Sequence, residues 1–161
     1  MMLAGLRLSE VINLKSQDVD LVNKAITVRN GKWGKDRMIP INARLNYYLQ
    51  EYYRWRNCKH TNTAHFFLAI CRSQPLCARG VQTICRKVRT SSGVSFSPQV
   101  LRHTFATLTY EGSKDIYAVS GMLGHSNIKT TQIYAHLSLQ SMRDSADRHV
   151  LNDPLGRKPV S

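Results

Sequence analysis

Long apolar runs are missing from this sequence of 161 residues. No stretch approaches the roughly 20 consecutive apolar residues that a membrane-spanning helix needs, which excludes a transmembrane protein. The first residues, Met1 to Arg7, lack an apolar segment long enough for a signal peptide. There is no internal repeat, and the length suits one sizeable core. We therefore expect a cytoplasmic, soluble protein with a single folded domain.

The sequence also lacks a CxxC motif, although it has four cysteines. Their spacing, even when combined with His60 and His65, matches no common zinc finger, so we predict no structural metal site. Reduced thiols packed in or near the core are expected instead, as in cytosolic proteins. The four residues are Cys58, Cys71, Cys77 and Cys85.

Acidic residues are scarce, with 10 Asp and Glu against 23 Lys and Arg, and the net charge is +13. Such an imbalance indicates the partner of a protein more than its fold. A polyanion is favoured, with nucleic acid as the first candidate and an anionic membrane surface as the second.

The first part of the chain predicts a short helix followed by a hairpin. Ser9 is the predicted N-cap of a helix that runs to Leu14, and residues 18–20 form the predicted turn after it. The side chains of residues 25–29 alternate in polarity and are rich in β-branched residues, which predicts a strand. The turn signal Asn30-Gly31 and the return strand, residues 37–41, complete a hairpin with a basic tip.

The rest of the chain is predicted to be helical, apart from an irregular loop over residues 60–78. Ser97 and Pro98 predict a capped helix start, while Gly112 and Gly124 predict helix ends. Apolar residues at three- and four-residue steps support these assignments. The predicted helices are residues 43–57, 78–90, 99–111, 114–123, 128–136 and 139–150. The predicted fold class is mainly α with a small antiparallel β-sheet (α+β).

Four motifs occur in an order that is typical of one enzyme family. They are GLRLSEVINL (5–14), GKWGKDRMIPI (31–41), SPQVLRHTFAT (97–107) and LGHSNIKTTQIYAHL (123–137). Together they resemble the catalytic domain of the tyrosine recombinases, the phage integrase family, up to about Leu139. The resemblance implies the fold of DNA breaking and rejoining enzymes. It also implies DNA strand transfer through a 3′-phosphotyrosyl intermediate, without metal or nucleotide cofactor.

The resemblance implies a catalytic role for Arg7, Lys32, Arg102, His125 and Tyr134. The two arginines would clamp the scissile phosphate, because a guanidinium donates two parallel hydrogen bonds and stays protonated. His125 would be a third donor, Lys32 would protonate the departing 5′-oxygen, and Tyr134 would be the nucleophile. Taken singly, the basic residues are typical of a solvated surface and Tyr134 is typical of a core side chain.

Five further residues are assigned around these. Glu10 would orient a cationic side chain, and Lys35 and Arg37 are predicted to contact the DNA backbone, with Lys35 as the fallback acid. Gln99 occupies the position at which the family usually has histidine; it can form hydrogen bonds with the phosphate but cannot accept the tyrosine proton. In an active site of this kind that proton would pass to His125, water or DNA. His103 is turned about 100° around the helix from the neighbouring arginine, so we predict that it packs.

The predicted function is a site-specific DNA recombinase or integrase acting on double-stranded DNA. Gln99 leaves open a degenerate, non-cleaving DNA-binding module, and the same residues would suit a type IB topoisomerase-like nicking and closing enzyme. Residues 1–152 are expected to be a catalytic domain that lacks the family's first helices and its N-terminal DNA-binding domain. Residues 153–161 are expected to be a mobile tail. We expect a tetramer of the full-length protein on DNA, possible monomers of this piece, and association with the bacterial nucleoid.

Overall fold

The computed structural model describes residues 1–29, 36–59, 61–69, 73–125 and 127–135. Lys32, Lys35, the predicted helix 139–150 and the predicted tail 153–161 lie outside the described residues. The elements in chain order are α1 (Leu8–Asn13), a 3-10 helix (Ser16–Asp18), β1 (Val19–Asp20), β2 (Ala25–Val28), β3 (Arg37–Pro40), α2 (Ala43–Asn57), α3 (Ala78–Ser92), α4 (Pro98–Ser113), α5 (Ile116–Leu123) and α6, described over residues 129–135.

The three strands form one antiparallel sheet in the order β1-β2-β3. Ile26 lies opposite Val19 on one side and Ile39 on the other. Ile26, Val28 and Ile39 are buried, so alternate residues of the central strand face the core. The predicted pairing of β2 with β3 is confirmed. The turn predicted over residues 18–20 is wrong, because Val19–Asp20 adds a third strand.

Two clusters of buried side chains hold the chain together. The first joins the sheet to α1 and α2, and it contains Ala4, Leu6, Val11, Leu14, Ile26, Val28, Ile39, Ile41, Leu49 and Phe66. The second joins α4, α5 and α6, and it contains Phe105, Ala106, Val119, Leu123 and Tyr134. Gly5 lies where the N-terminal segment meets α4: its φ is +61°, and a Cβ there would come within 2.5 Å of Phe105 Cδ1. Only glycine allows this close approach.

Helix caps explain which helix boundaries are confirmed. Asn42 accepts a hydrogen bond from the Leu45 N–H at 2.8 Å, and α2 has the predicted bounds Ala43–Asn57. Ser97 accepts from the Val100 N–H at 3.3 Å, with Pro98 at the first helical position, as predicted. α3 extends two residues beyond its predicted end at residue 90, to Ser92.

Further predicted boundaries are wrong. α1 begins at Leu8 rather than after Ser9. Gly112 does not end α4, which continues to Ser113 and ends where Lys114 adopts a left-handed conformation with φ 54°. α5 begins at Ile116 rather than Lys114, because the Asp115 carboxylate accepts hydrogen bonds from the Tyr117 and Ala118 N–H groups. The cap at Asp115 therefore fixes the start of α5.

The turn between α5 and α6 places the predicted phosphate ligand His125. Gly124 ends α5 as predicted, with φ 63°, and the His125 N–H donates to the Ser120 carbonyl at 3.1 Å. A Cβ on Gly124 would lie 3.0 Å from Arg37 Cδ. The backbone conformation therefore favours glycine here, and the missing side chain leaves room for the close approach of Arg37.

The remaining predictions concern the loop, the cysteines and the membrane. Over residues 61–69 and 73–77 the predicted loop forms no strand, only the isolated bridges Lys15 to His65 and Leu68 to Pro75. Among the cysteines that the structure describes, Cys85 is buried as predicted, whereas Cys58 and Cys77 are exposed. Cys71 and the predicted turn at Asn30-Gly31 lie outside the described residues. No helix within the described part of the chain is long and apolar enough to cross a membrane.

Candidate active site

A cavity of about 580 Å³ lies between the start of α1, the start of α4 and helix α6. Its lining includes Arg7, Gln99, Arg102, His103, His125 and Tyr134. Four of the five predicted catalytic residues therefore meet in one place, although they come from opposite ends of the chain. The fifth, Lys32, is outside the described residues.

Arg102 is held in the wall of this cavity by backbone carbonyls. Its Nη1 donates to the Gly5 carbonyl and its Nη2 donates to the Leu123 carbonyl, the latter at 2.6 Å. The side chain is 11% exposed. Burial, reinforced by the nearby positive charge of Arg7, lowers the pKa of Arg102 to about 10, so the guanidinium stays protonated at neutral pH. The result is a fixed cation that faces the cavity.

Glu10 joins the cationic residues behind the cavity. Its carboxylate, 9% exposed, accepts two hydrogen bonds from Arg37 at 2.8 and 2.9 Å and two from Arg7, one from Nη1 at 2.8 Å and one from the backbone N–H at 2.7 Å. Burial alone would raise the pKa of Glu10, but the hydrogen bonds from Arg37 and Arg7 lower it to about 2. The carboxylate thus lies where it can orient Arg7, as the sequence predicts.

Arg37 points into the protein and pairs with groups behind the cavity. Its side chain is only 10% exposed, its Nη atoms pair with Glu10, and its Nε donates to the Met122 carbonyl at 2.9 Å. These contacts tie β3 to α1 and to the end of α5. Loss of Arg37 would leave the buried Glu10 carboxylate with one partner fewer, which gives Arg37 a structural role in this fold. The DNA contact predicted for Arg37 stays a prediction.

His125 lies between Arg102 and the helix that carries Tyr134. Its Nδ1 is 2.9 Å from the hydroxyl of the buried Thr131, and its Nε2 is 3.4 Å from Arg102 Nη2. Burial, followed by the charges of Arg102 and Arg7, lowers the pKa of His125 to about 4. The ring is therefore neutral at pH 7. Because a guanidinium can only donate, Nε2 accepts in the contact with Arg102, and the ring hydrogen then lies on Nδ1 beside the Thr131 hydroxyl. To donate from Nε2 to a phosphate, the neutral ring takes the other tautomer, with the Thr131 hydroxyl donating to Nδ1.

Tyr134 is 3% exposed, and its ring belongs to the second buried cluster. Its hydroxyl, however, lies 2.7 Å from Nδ1 of His103 and also reaches the cavity. Burial raises the pKa of the Tyr134 phenol. The sequence allowed Tyr134 to be either a core side chain or a site residue, and the structure has features of both. The ring packs in the core, and the side chain lines the cavity with its hydroxyl beside His103.

His103 is a site residue that sequence reasoning missed. We predicted that it packs, but it is exposed and its ring contacts the Tyr134 hydroxyl. Its Nε2 also lies 3.5 Å from Nε2 of Gln99, one helical turn earlier on α4. The available signal was that spacing, because residues four apart share a helix face. Comparing His103 only with its direct neighbour Arg102 led to the error.

The sequence profile of the phage integrase family matches residues 1–141. The chain belongs to the phage integrase family. It is 35% identical over 147 residues to the tyrosine recombinase XerA of Pyrococcus horikoshii, covering 90% of this chain and 50% of that protein. A crystal structure of XerA recombinase matches with a TM-score of 0.80 and 32% identity, covering 90% of this chain and 54% of that one.

A further solved structure, the site-specific recombinase XerH bound to a palindromic difH substrate, matches with a TM-score of 0.74 and 26% identity. The match covers 91% of this integrase-family chain and 43% of the XerH chain. These similarities confirm the predicted fold class, a mainly helical domain with a small antiparallel sheet. The chain spans about half the length of the curated relatives it matches.

The stability of this integrase-family chain is expected to fall in two steps as the pH decreases. The pKa of His125 is lowered from 6.5 to about 4, so the unfolded chain binds a proton first and stability falls between about pH 6.5 and 4. The pKa of Glu10 is lowered from 4.5 to about 2, so a contribution of about 3 kcal/mol is lost between about pH 4.5 and 2. Melting temperatures recorded across this range measure both steps.

Two variants assign the steps to their residues. His125→Asn should remove the upper step, and Glu10→Gln should reduce the lower one while lowering stability at pH 7. A wild-type melting temperature that stays constant from pH 6.5 to 4 would contradict the buried, neutral state of His125.

Proposed function

We propose that the chain is the catalytic part of a site-specific DNA recombinase that cleaves and rejoins strands through Tyr134. The observation that carries this proposal is the meeting of Arg7, Arg102, His125 and Tyr134 at one cavity. Membership of the integrase family supports it. Residues 1–152 would form the catalytic domain, and the activity of a longer protein would include this chemistry.

The chemistry follows from the charges around the cavity. A phosphodiester attacked in line gathers negative charge on its non-bridging oxygens, and preorganised donors stabilise that charge without reorganising during the reaction. Arg102 and Arg7 would provide two cationic donors and His125 a neutral one. The Tyr134 oxygen would bond to phosphorus while the bond to the 5′-oxygen breaks, leaving a 3′-phosphotyrosyl link. Lys32 would protonate that 5′-oxygen, and attack by a 5′-hydroxyl would reverse the step.

Double-stranded DNA is the proposed partner. XerH was solved bound to its difH substrate, and the net charge of +13 on this chain supports binding to a polyanion. Binding by this piece should weaken strongly with salt, because each neutralised phosphate releases counterions. Lys35 remains a proposed backbone contact, and a tetramer on DNA remains the proposed assembly of the full-length protein.

A covalent trapping experiment tests the function. The chain is incubated with a library of nicked suicide duplexes of randomised sequence, in which the strand fragment beyond the scissile phosphate diffuses away after cleavage. A recombinase should form a denaturant-resistant protein–DNA adduct. Sequencing of the trapped DNA should then reveal a defined site, whereas adducts without sequence preference together with relaxation of supercoiled plasmid would indicate a topoisomerase-like enzyme.

Gln99 favours one competing function, a DNA-binding module that no longer cleaves. That module would bind duplex DNA and trap no adduct from the library. If the wild-type chain traps none and Gln99→His restores trapping, the chain is a degenerate binder and the proposed activity is contradicted.

A further inference from the structure

The proposed reaction leaves the Tyr134 proton without an acceptor. A phenol attacks phosphorus effectively only as it loses its proton, and burial raises the pKa of the Tyr134 phenol. The glutamine at position 99 cannot take a proton. The side chain that contacts the Tyr134 hydroxyl is His103, at 2.7 Å from Nδ1.

We propose that His103 accepts the Tyr134 proton during cleavage and returns it during rejoining, and that Gln99 sets the tautomer of His103 for this task. The inference rests on the proposed function and adds a catalytic residue to it. Gln99, which stands where the family usually has histidine, then becomes part of the site, because the imidazole that accepts the proton, that of His103, lies one helical turn further along α4.

The geometry places His103 for proton transfer. A general base must lie within about 2.6–3.2 Å of the oxygen whose proton it takes, and the distance here falls inside that range. The two rings are 5.9 Å apart and tilted by 49°, so the contact is made through Nδ1 and the hydroxyl rather than by stacking. The tyrosine ring is buried while the histidine is exposed, so His103 can exchange its proton with water.

The tautomer is set at the other ring nitrogen. For Nδ1 to accept a proton, Nε2 must carry the ring hydrogen. Nε2 of His103 lies 3.5 Å from the amide nitrogen of Gln99. A half-turn of that amide about its last side-chain bond exchanges its nitrogen with its oxygen. With the oxygen toward His103, the Nε2–H donates to Gln99 and the Nδ1 lone pair faces the tyrosine.

The proposed step balances. The Tyr134 O–H proton moves to His103 Nδ1, the phenolic oxygen bonds to phosphorus, and the bond from phosphorus to the 5′-oxygen breaks. The 5′-oxygen takes a proton from Lys32 in the proposed function. In rejoining, the 5′-hydroxyl attacks phosphorus and returns its proton to that lysine, while the leaving phenolate recovers its proton from His103.

Other charged groups face the same cavity and influence the transfer of a proton to His103. Arg7, Arg102 and His125 line it together with Tyr134, and the amino-terminal residue Met1 also contributes to the lining. The positive charges of Arg7 and Arg102 oppose a second cation. Proton transfer from Tyr134 to His103 adds no net charge to the cavity, however, and a bound phosphate supplies a compensating negative charge.

The test uses His103→Asn, because an asparagine side chain keeps a hydrogen-bonding group near the position of Nδ1 but cannot take a proton. Adduct formation should slow about 10²- to 10⁴-fold, with DNA affinity unchanged. The pH profile of the wild-type cleavage rate should differ from that of the variant, because His103→Asn removes a proton acceptor. The matched control is His65→Asn. His65 contacts Thr63 and does not line the cavity, so its replacement should change neither the rate nor the pH profile.

Two results separate this inference from the proposed function. If the wild-type chain forms adducts and His103→Asn forms them at the same rate with the same pH profile, the inference is overturned while the function stands. The second measurement needs no DNA: ¹⁵N chemical shifts of the His103 ring in the free protein. The proposal requires the Nε2–H tautomer with an Nδ1 shift that responds to Tyr134→Phe, and an Nδ1–H tautomer would overturn it even if the variants do not fold.

Discussion

Replacing Tyr134 with phenylalanine is expected to abolish covalent attachment to DNA while leaving the fold and the DNA affinity in place. The ring is 3% exposed and packs among Phe105, Val119 and Leu123, contacts that phenylalanine can keep. Only the hydroxyl and its hydrogen bond to His103 are lost, which should change stability by about 1 kcal/mol. Denaturing gels measure the adduct, and fluorescence anisotropy measures the affinity.

The matched control is Tyr117→Phe. Tyr117 lies on α5 and is 77% exposed, so removal of its hydroxyl should alter neither the adduct nor the affinity. The chain has seven tyrosines, and a persistent adduct in Tyr134→Phe would mean that another residue is the nucleophile. If the wild type and both variants bind DNA but form no adduct, the chain binds DNA without cleaving it.

Replacing Arg102 with lysine should reduce the cleavage rate by at least about a hundredfold, the usual cost of losing one preorganised donor at a developing anion. The planar guanidinium can donate to the Gly5 and Leu123 carbonyls and still present an N–H to the cavity. A lysine ammonium lacks that fixed fork. Burial beside Arg7 would also favour loss of its proton. Single-turnover cleavage rates at saturating protein measure the effect.

Arg29→Lys is the control for Arg102→Lys. Arg29 is 53% exposed and pairs with Asp18 at 2.6 Å, outside the candidate cavity. Its replacement should leave cleavage unchanged. Arg102→Lys should also lower the melting temperature, since it loses a backbone contact, so rates are compared where both proteins are folded. If the Arg102→Lys protein is less stable but cleaves DNA at the wild-type rate, Arg102 has a structural role and no catalytic one.

The sequence predicted elements whose signals are local. The apolar periodicity of α2 lies within that helix, and Ser97 with Pro98 lies directly before α4, so the bounds of α2 and the start of α4 were found. The strand Val19–Asp20 was missed because two residues cannot display a period, and it forms only by pairing with β2. The start of α5 at Ile116 was missed because the Asp115 cap was not recognised.

The candidate site shows the same division between local and tertiary signals. Motif order was enough to predict that Arg7, Arg102, His125 and Tyr134 belong together. It could not show that Arg37 turns inward, because its partner Glu10 is 27 positions away and the pairing depends on how the sheet packs on α1. The contact of His103 with Tyr134, 31 positions apart, likewise depends on the packing of α6 against α4.

The central claim is that the Tyr134 oxygen becomes bonded to a DNA 3′-phosphate. Proteolysis of the trapped adduct followed by mass spectrometry tests it most directly, because the modified peptide and the polarity of the linkage are read together. The account predicts a nucleotide attached through its 3′-phosphate to Tyr134. Attachment to any other residue, or through a 5′-phosphate, would contradict it.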